Sequence, residues 1–245
     1  MNHLLEGDSI IIHPGDHIGS ADNGGKSVHI KGNTFAPDEV SILGELELSG
    51  GNNSVNLLRV SNTSGDGINI SAGEVSIAYV LVDNSSGKAI ALSTAAEAAL
   101  NNITISASGY GLYDNSSGSV TMVNSIVWGN TTAIDGNPVV TYSDISGGYT
   151  GTGNIDSDPL FVDAANGDFN LDVLSPCIDA GDSSGVYDAD STVMDMGAFP
   201  RLRQFLAGTS DDDIRISADT TVIITEDFTV TTDDTMQLDA GAELY

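Results

Sequence analysis

A period of 22 residues governs the middle of this chain. Ile68, Ile90, Leu112 and Ile134 follow one another at that spacing, each after a small residue: Gly67, Ala89, Gly111 and Ala133. A second column runs Val60, Val82, Ile105 and Trp128, and two positions beyond it lie Asn62, Asn84, Ala107 and Asn130. Self-similarity at a fixed period of roughly 20–50 residues marks a solenoid, in which each unit buries its face on the next. A unit this short cannot hold a helix pair, and it is rich in Gly, Ser, Asn, Ile and Val. Each repeat is therefore expected to be one coil of a parallel β-helix, with three-sided coils from about residue 7 to 155.

Strand side chains alternate between faces, so a repeated apolar column points into the coil while its neighbours point out. Coils stack at about 4.8 Å, which joins their backbones. The asparagine column is expected to form a ladder at a turn, each amide bonding to the one above.

Charge narrows the partners. Seven Lys and Arg stand against 35 Asp and Glu, a formal net charge of −28. This argues against nucleic acid and anionic membrane surfaces, and suits solvation, cations and neutral glycans. The single cysteine, Cys177, excludes an intrachain disulfide and sits in an apolar segment as a small core residue. No run approaches the ~18–20 apolar residues of a membrane span. No signal-peptide pattern opens the chain, and Met1 leads within a few residues into a strand, so the sequence reads as a piece of a longer, multidomain precursor.

Gly7-Asp8-Ser9-Ile10-Ile11-Ile12-His13-Pro14-Gly15 reads as turn, strand and turn, and Val28-His29-Ile30-Lys31-Gly32 as a second alternating strand. With the coils that follow, this opening resembles the first turns of right-handed β-helix proteins of the pectate-lyase-like superfamily. The far end resembles the closing segment of bacterial secreted β-helix proteins: Asp158-Pro159-Leu160-Phe161, Ser175-Pro176-Cys177-Ile178-Asp179-Ala180-Gly181-Asp182 and Asp195-Met196-Gly197-Ala198-Phe199. The resemblance covers about residues 5–200. It implies an all-β, right-handed parallel β-helix over residues 1–200, in an extracellular or cell-surface setting, with a cap at about 156–200.

An open solenoid end exposes strand edges and an apolar cross-section. Leu160, Phe161, Phe169, Leu171, Ile178 and Phe199 are expected to plug it. After Pro200 the alternation of Thr221 to Ile224, Phe228 to Val230 and Met236 to Leu238 reads as the opening hairpin and first coil of a further β module, truncated at residue 245 and loosely docked.

Two sets of residues are candidates for a site. Beside the Ile68 column, the outward positions bring Asp66, Lys88, Tyr110, Tyr113 and Asp135 into one outer patch, a shallow groove where proteins of the resembled superfamily hold polysaccharide. Aromatic faces flanked by hydrogen-bonding groups suit a sugar ring. An ordinary solvated face is the alternative. Asp156, Asp158, Asp188, Asp190 and Asp195 cluster near the cap as carboxylates that suit Ca²⁺, although neither group has a full calcium-loop spacing and Asx-turn and corner hydrogen bonds are the stronger reading. His13 and His17 are separated by Pro14-Gly15, which forbids a helix and any helical zinc pair.

No catalytic residue is assigned. A uronate lyase needs a cation for the carboxylate and a base for the C5 proton. Arg59 and Lys88 are the basic residues of the repeat, and no Arg-x-Pro-x-x-Arg pattern accompanies them. The expectation is a non-catalytic scaffold that contacts a polysaccharide or surface glycan. The alternatives are a lyase with Lys88 as base, or a structural spacer.

Overall fold

The computed structural model describes residues 5–34 and 36–201 and, beyond them, the backbone of the strands Arg203–Ser210, Ile214–Ile216, Thr221–Val230, Met236–Leu238 and Glu243–Leu244. Its body is a parallel β-solenoid of about six turns. Three ladders run along it, one per face. The inward column of the first face is Ile10, Ile30, Val55, Ile77, Leu100, Met122 and Val140. That of the second face is Ile42, Val60, Val82, Ile105, Val127 and Ile145. That of the third is Leu46, Ile68, Ile90, Leu112 and Ile134, the column that the period predicts. Most of these side chains are fully buried in one continuous core. Each contributes about 1.5–3 kcal/mol relative to exposure.

One expected column was off by a residue at its last position. Ile105 pairs with Val127, while Trp128 pairs with Ser106 and faces outward. The true period at that step is 22, and counting 23 carried the column to the neighbouring position on the opposite side of the strand.

The corners explain how three faces close in so few residues. Leu57, Tyr79, Asn102, Asn124 and Tyr142 occupy one corner, between the first and second faces, and all have left-handed φ, between 48 and 53°. A single residue thus turns the strand. For a bulky residue that conformation costs about 1–2 kcal/mol, which the ladders on both sides offset. The corner between the second and third faces repeats the device at Asn84, Ala107 and Gly129. The small column Gly67, Ala89, Gly111, Ala133 has a steric cause as well: a Cβ at Gly111 would lie 2.5 Å from the Ala133 carbonyl oxygen.

The expected ladder of stacked asparagine amides does not form in this column. Asn62 Nδ2 donates to the Asp66 carbonyl, Asn84 Nδ2 to Asp83, and Asn130 accepts from the Ser108 N–H while donating to the Ile105 carbonyl. The Asn62 and Asn130 amides satisfy corner backbone groups that the ladders leave open, and Asn84 bonds the Asp83 carboxylate. A side-chain pair of this kind occurs upstream instead, where Asn23 Nδ2 donates to Asn53 Oδ1 at 3.1 Å, both residues being buried.

The segment after residue 156 does not plug the end. The last coil is closed by the turn that precedes it: Tyr149 packs on the core, and Ile155 donates to the Ser143 carbonyl and accepts from the Ile145 N–H. Residues 160–199 instead run back along the outside of the second face. Phe169, Ala198 and Phe199 cover Leu81, and Leu171, Cys177 and Met196 cover Ile126. Thr104 Oγ1 accepts from the Ala198 N–H, and Asn102 Nδ2 donates to the Asp195 carbonyl. Within this strap, Phe161–Asp163 pairs antiparallel with Asp168–Leu171, and the Phe161 and Phe169 rings meet edge to face at 5.2 Å. The outward column of the second face, Leu81, Thr104, Ile126 and Asp144, is consequently buried.

The described strands after residue 202 pair in parallel, Arg203–Ser210 with Thr221–Val230 and Thr221–Val230 with Glu243–Leu244, and Ile214 pairs with Met236 22 positions on. No antiparallel hairpin is formed among the described strands here.

Candidate functional site

The third face carries the predicted outer patch. Lys88, Tyr110 and Thr132 are ladder partners on successive coils, as are Ala91, Tyr113 and Asp135. Strand alternation turns the Ala91, Tyr113 and Asp135 column outward while Ile90 and Leu112 enter the core, whereas Lys88 and Tyr110 lie two residues before those core positions, at the corner that opens the strand. Lys88 is held twice. Its backbone N–H donates to Asp66 Oδ1 at 2.8 Å, and its ammonium lies 3.7 Å from Asp66 Oδ2. The same ammonium sits 4.5 Å from the centre of the Tyr113 ring. Tyr110 and Tyr113 meet edge to face at 5.8 Å and 82°.

Four of the five predicted residues therefore touch in series, Asp66 to Lys88 to Tyr113 to Tyr110. Asp135 is exposed one coil further along, beside Tyr113 in the ladder. The arrangement is an open platform rather than an enclosed groove, with Tyr110 39 % exposed and Lys88 and Asp66 about a third exposed. Exposed ion pairs of this kind add about 0–1 kcal/mol, and an exposed cation–π contact about 0.5–1 kcal/mol. Their consequence is positional: they fix two tyrosine rings on a surface otherwise made of small and polar side chains.

The platform continues upstream through a polar patch that sequence reasoning did not single out. Glu47 accepts from Asn69 Nδ2 at 2.6 Å and from the Ser71 hydroxyl. Glu47, Asn69, Ala91, Tyr113 and Asp135 form one ladder column, so a 22-residue step back from Ala91 would have found it.

The aspartates proposed as calcium ligands have other occupations. Asp156 Oδ1 accepts from the Gly147 N–H and Asp158 Oδ1 from the Leu160 N–H. Asp190 Oδ1 accepts from the Thr192 N–H and hydroxyl, and Asp188 Oδ2 from the Asp195 N–H. Asp195 accepts from the Asp179 and Arg201 N–H groups with its two oxygens. Among the described residues no three carboxylate, histidine or cysteine groups converge to hold a metal. These carboxylates tie turns of the strap and of the last coil before it.

Burial sets their electrostatics. It pushes Asp195 up to about 7 and Asp188 up to about 6, against the hydrogen bonds each accepts. Asp144, on the outer column of the second face, is likewise pushed up to about 6, and the buried Cys177 thiol beside it donates to its carboxylate at 3.3 Å. Burial first, then that carboxylate, raises the thiol far above the ordinary range, so it is not a nucleophile. Arg59 makes a two-pronged contact with the buried Asp83, at 2.7 and 2.5 Å. The second basic residue of the repeat is thus a partner of a buried acid, at the upstream end of the strap.

No family model matches this chain, and no curated protein or solved structure is similar to it at a significant level.

Proposed function

We propose that this chain is a secreted or cell-surface β-helix of the pectate-lyase-like superfamily that contacts polysaccharide along its third face without catalysis. The observation that carries the reading is the platform itself: Tyr110 and Tyr113 edge to face, with Lys88 against the Tyr113 ring and Asp66 against Lys88. The exposed Tyr110 and the half-buried Tyr113 offer an apolar ring face and a hydroxyl, which is what a pyranose needs. The ladder supplies a polar run at about 4.8 Å intervals on which a chain of sugars can lie. The closing-segment motifs support the extracellular setting. In a chain of net charge −28, a neutral polysaccharide meets less repulsion than a polyuronate.

The test is binding of the full chain to a panel of neutral and uronate polysaccharides, together with the Tyr110→Ala/Tyr113→Ala double variant. The double variant is expected to lose about tenfold or more in affinity while keeping its fold. Retained affinity would move the contact elsewhere, and an absence of binding throughout would leave a spacer. A rise in unsaturated-uronate absorbance that disappears in Lys88→Ala would make the protein a lyase instead.

A further inference from the structure

The strap forms a second concave feature, away from the platform. Where its 182–194 segment passes the left-handed corner, a cleft of about 330 Å³ opens between them. Tyr79 and Met194 form part of its wall with Val123 and Val186, and Asn101 and Asp182 bring polar groups to it. Three coils contribute, so the cleft is about 10 Å long, two steps of the ladder.

We infer that this cleft binds a single neutral sugar ring. Its walls are pre-formed. Asn124 Oδ1 accepts from the Asp182 N–H at 2.7 Å, and Asn102 Nδ2 donates to the Asp195 carbonyl at 2.9 Å, so the segment is fastened to the corner on both sides of the opening. The left-handed φ of 52° at Tyr79 puts a bulky aromatic at a conformation ordinarily given to glycine or asparagine, and sets it at the corner beside the cleft. Its hydroxyl donates to the Met194 sulfur at 3.9 Å, a weak bond that a ligand oxygen can displace.

The polar groups are similarly uncommitted. Among the described residues the Asn101 amide makes no hydrogen bond, and Asp182 engages Ser184 through Oδ1 and leaves Oδ2 unused. An amide offers two donors and an acceptor, and a carboxylate offers acceptors, which together match vicinal hydroxyls. The apolar wall matches the face of a pyranose. Among the described residues no cation lines the cleft, and Asp182 brings a carboxylate to it, so a uronate would be repelled. The volume is at the lower end of ligand sites, and the strap walls one side, which limits the occupant to one ring where the third face is open along its length.

Saturation-transfer NMR on the full chain tests this with methyl glucoside, methyl galactoside, methyl mannoside, N-acetylglucosamine and glucuronate. At least one neutral sugar is expected to bind at millimolar concentration, and glucuronate more weakly than it. Asn101→Ala, at a partly exposed strand position, is expected to weaken that sugar by about tenfold, as the loss of two modest hydrogen bonds predicts. Tyr79→Phe, which keeps the ring, should weaken it by a smaller factor, and Tyr110→Ala/Tyr113→Ala should leave it unchanged. Unchanged binding in Asn101→Ala, loss in the platform variant, preference for glucuronate, or no neutral sugar bound would each overturn the assignment.

Discussion

The second and third faces come from the same coils and the same kind of ladder, yet the outside of one is core and the outside of the other is surface. On the second face the outward column is Leu81, Thr104, Ile126 and Asp144, and the strap buries all four. On the third face the outer positions carry Lys88, Tyr110 and Tyr113, which contact one another and solvent. A β-helix coil has to bury only its inside. Burying a second side is an addition, made where the sequence places apolar residues at outward positions and a later segment supplies the cover.

The contrast breaks most readily at Leu81. Leu81→Ala removes the residue on which Phe169, Ala198 and Phe199 rest, and is expected to cost about 2–5 kcal/mol by chemical denaturation. Trp128, the one tryptophan of the chain, packs with Leu171, Cys177 and Met196 under the strap. Its emission should therefore shift to the red at lower denaturant than the loss of far-ultraviolet strand signal. If both transitions still coincide at the wild-type midpoint, the strap is not held by this cluster.

A pH titration sharpens the comparison, because the carboxylates that burial pushes furthest up belong to the strap and the column beneath it. Asp144 and Asp188 at about 6 and Asp195 at about 7 all lie above the ordinary aspartate value, so the folded state holds protons that the unfolded chain has released. Their stabilising contribution is fully present below about pH 4 and is lost as pH rises through 6 to 7. The strap is expected to unfold at lower temperature at pH 8 than at pH 5, followed by Trp128 emission. Asp195→Asn should flatten that dependence, and an unchanged slope would remove Asp195 from the account.

The smallest effect is expected on the third face. Tyr113→Ala removes an exposed ring contact and a cation–π contact, together about 1 kcal/mol or less. A loss comparable to that of Leu81→Ala would mean that the platform is structural, and would leave the proposed glycan contact without its premise.

Much of this could be read in advance, for a physical reason visible at particular residues. The column of Ile68, Ile90, Leu112 and Ile134 was legible because every coil meets an equivalent coil above and below, so the same position faces the same demand each time. The assembly of Lys88, Tyr110 and Tyr113 followed from the same spacing. The sequence also carries a signal for the buried second face: Val80-Leu81-Val82 and Ile126-Val127 are continuous apolar runs where one-sided burial would alternate.

What the sequence determined by itself is the periodic part: the coil length, the inward columns and the outward neighbours that share a face. The tertiary structure alone decided the path of residues 156–200. That segment has no internal copy to align with, and its apolar residues fit an end plug as well as a lateral strap until Leu81 and Ile126 are seen to need covering. It also decided the corners. Nothing about Leu57 or Tyr79 announces a left-handed turn, and each adopts one because the ladders above and below fix where the strand must bend.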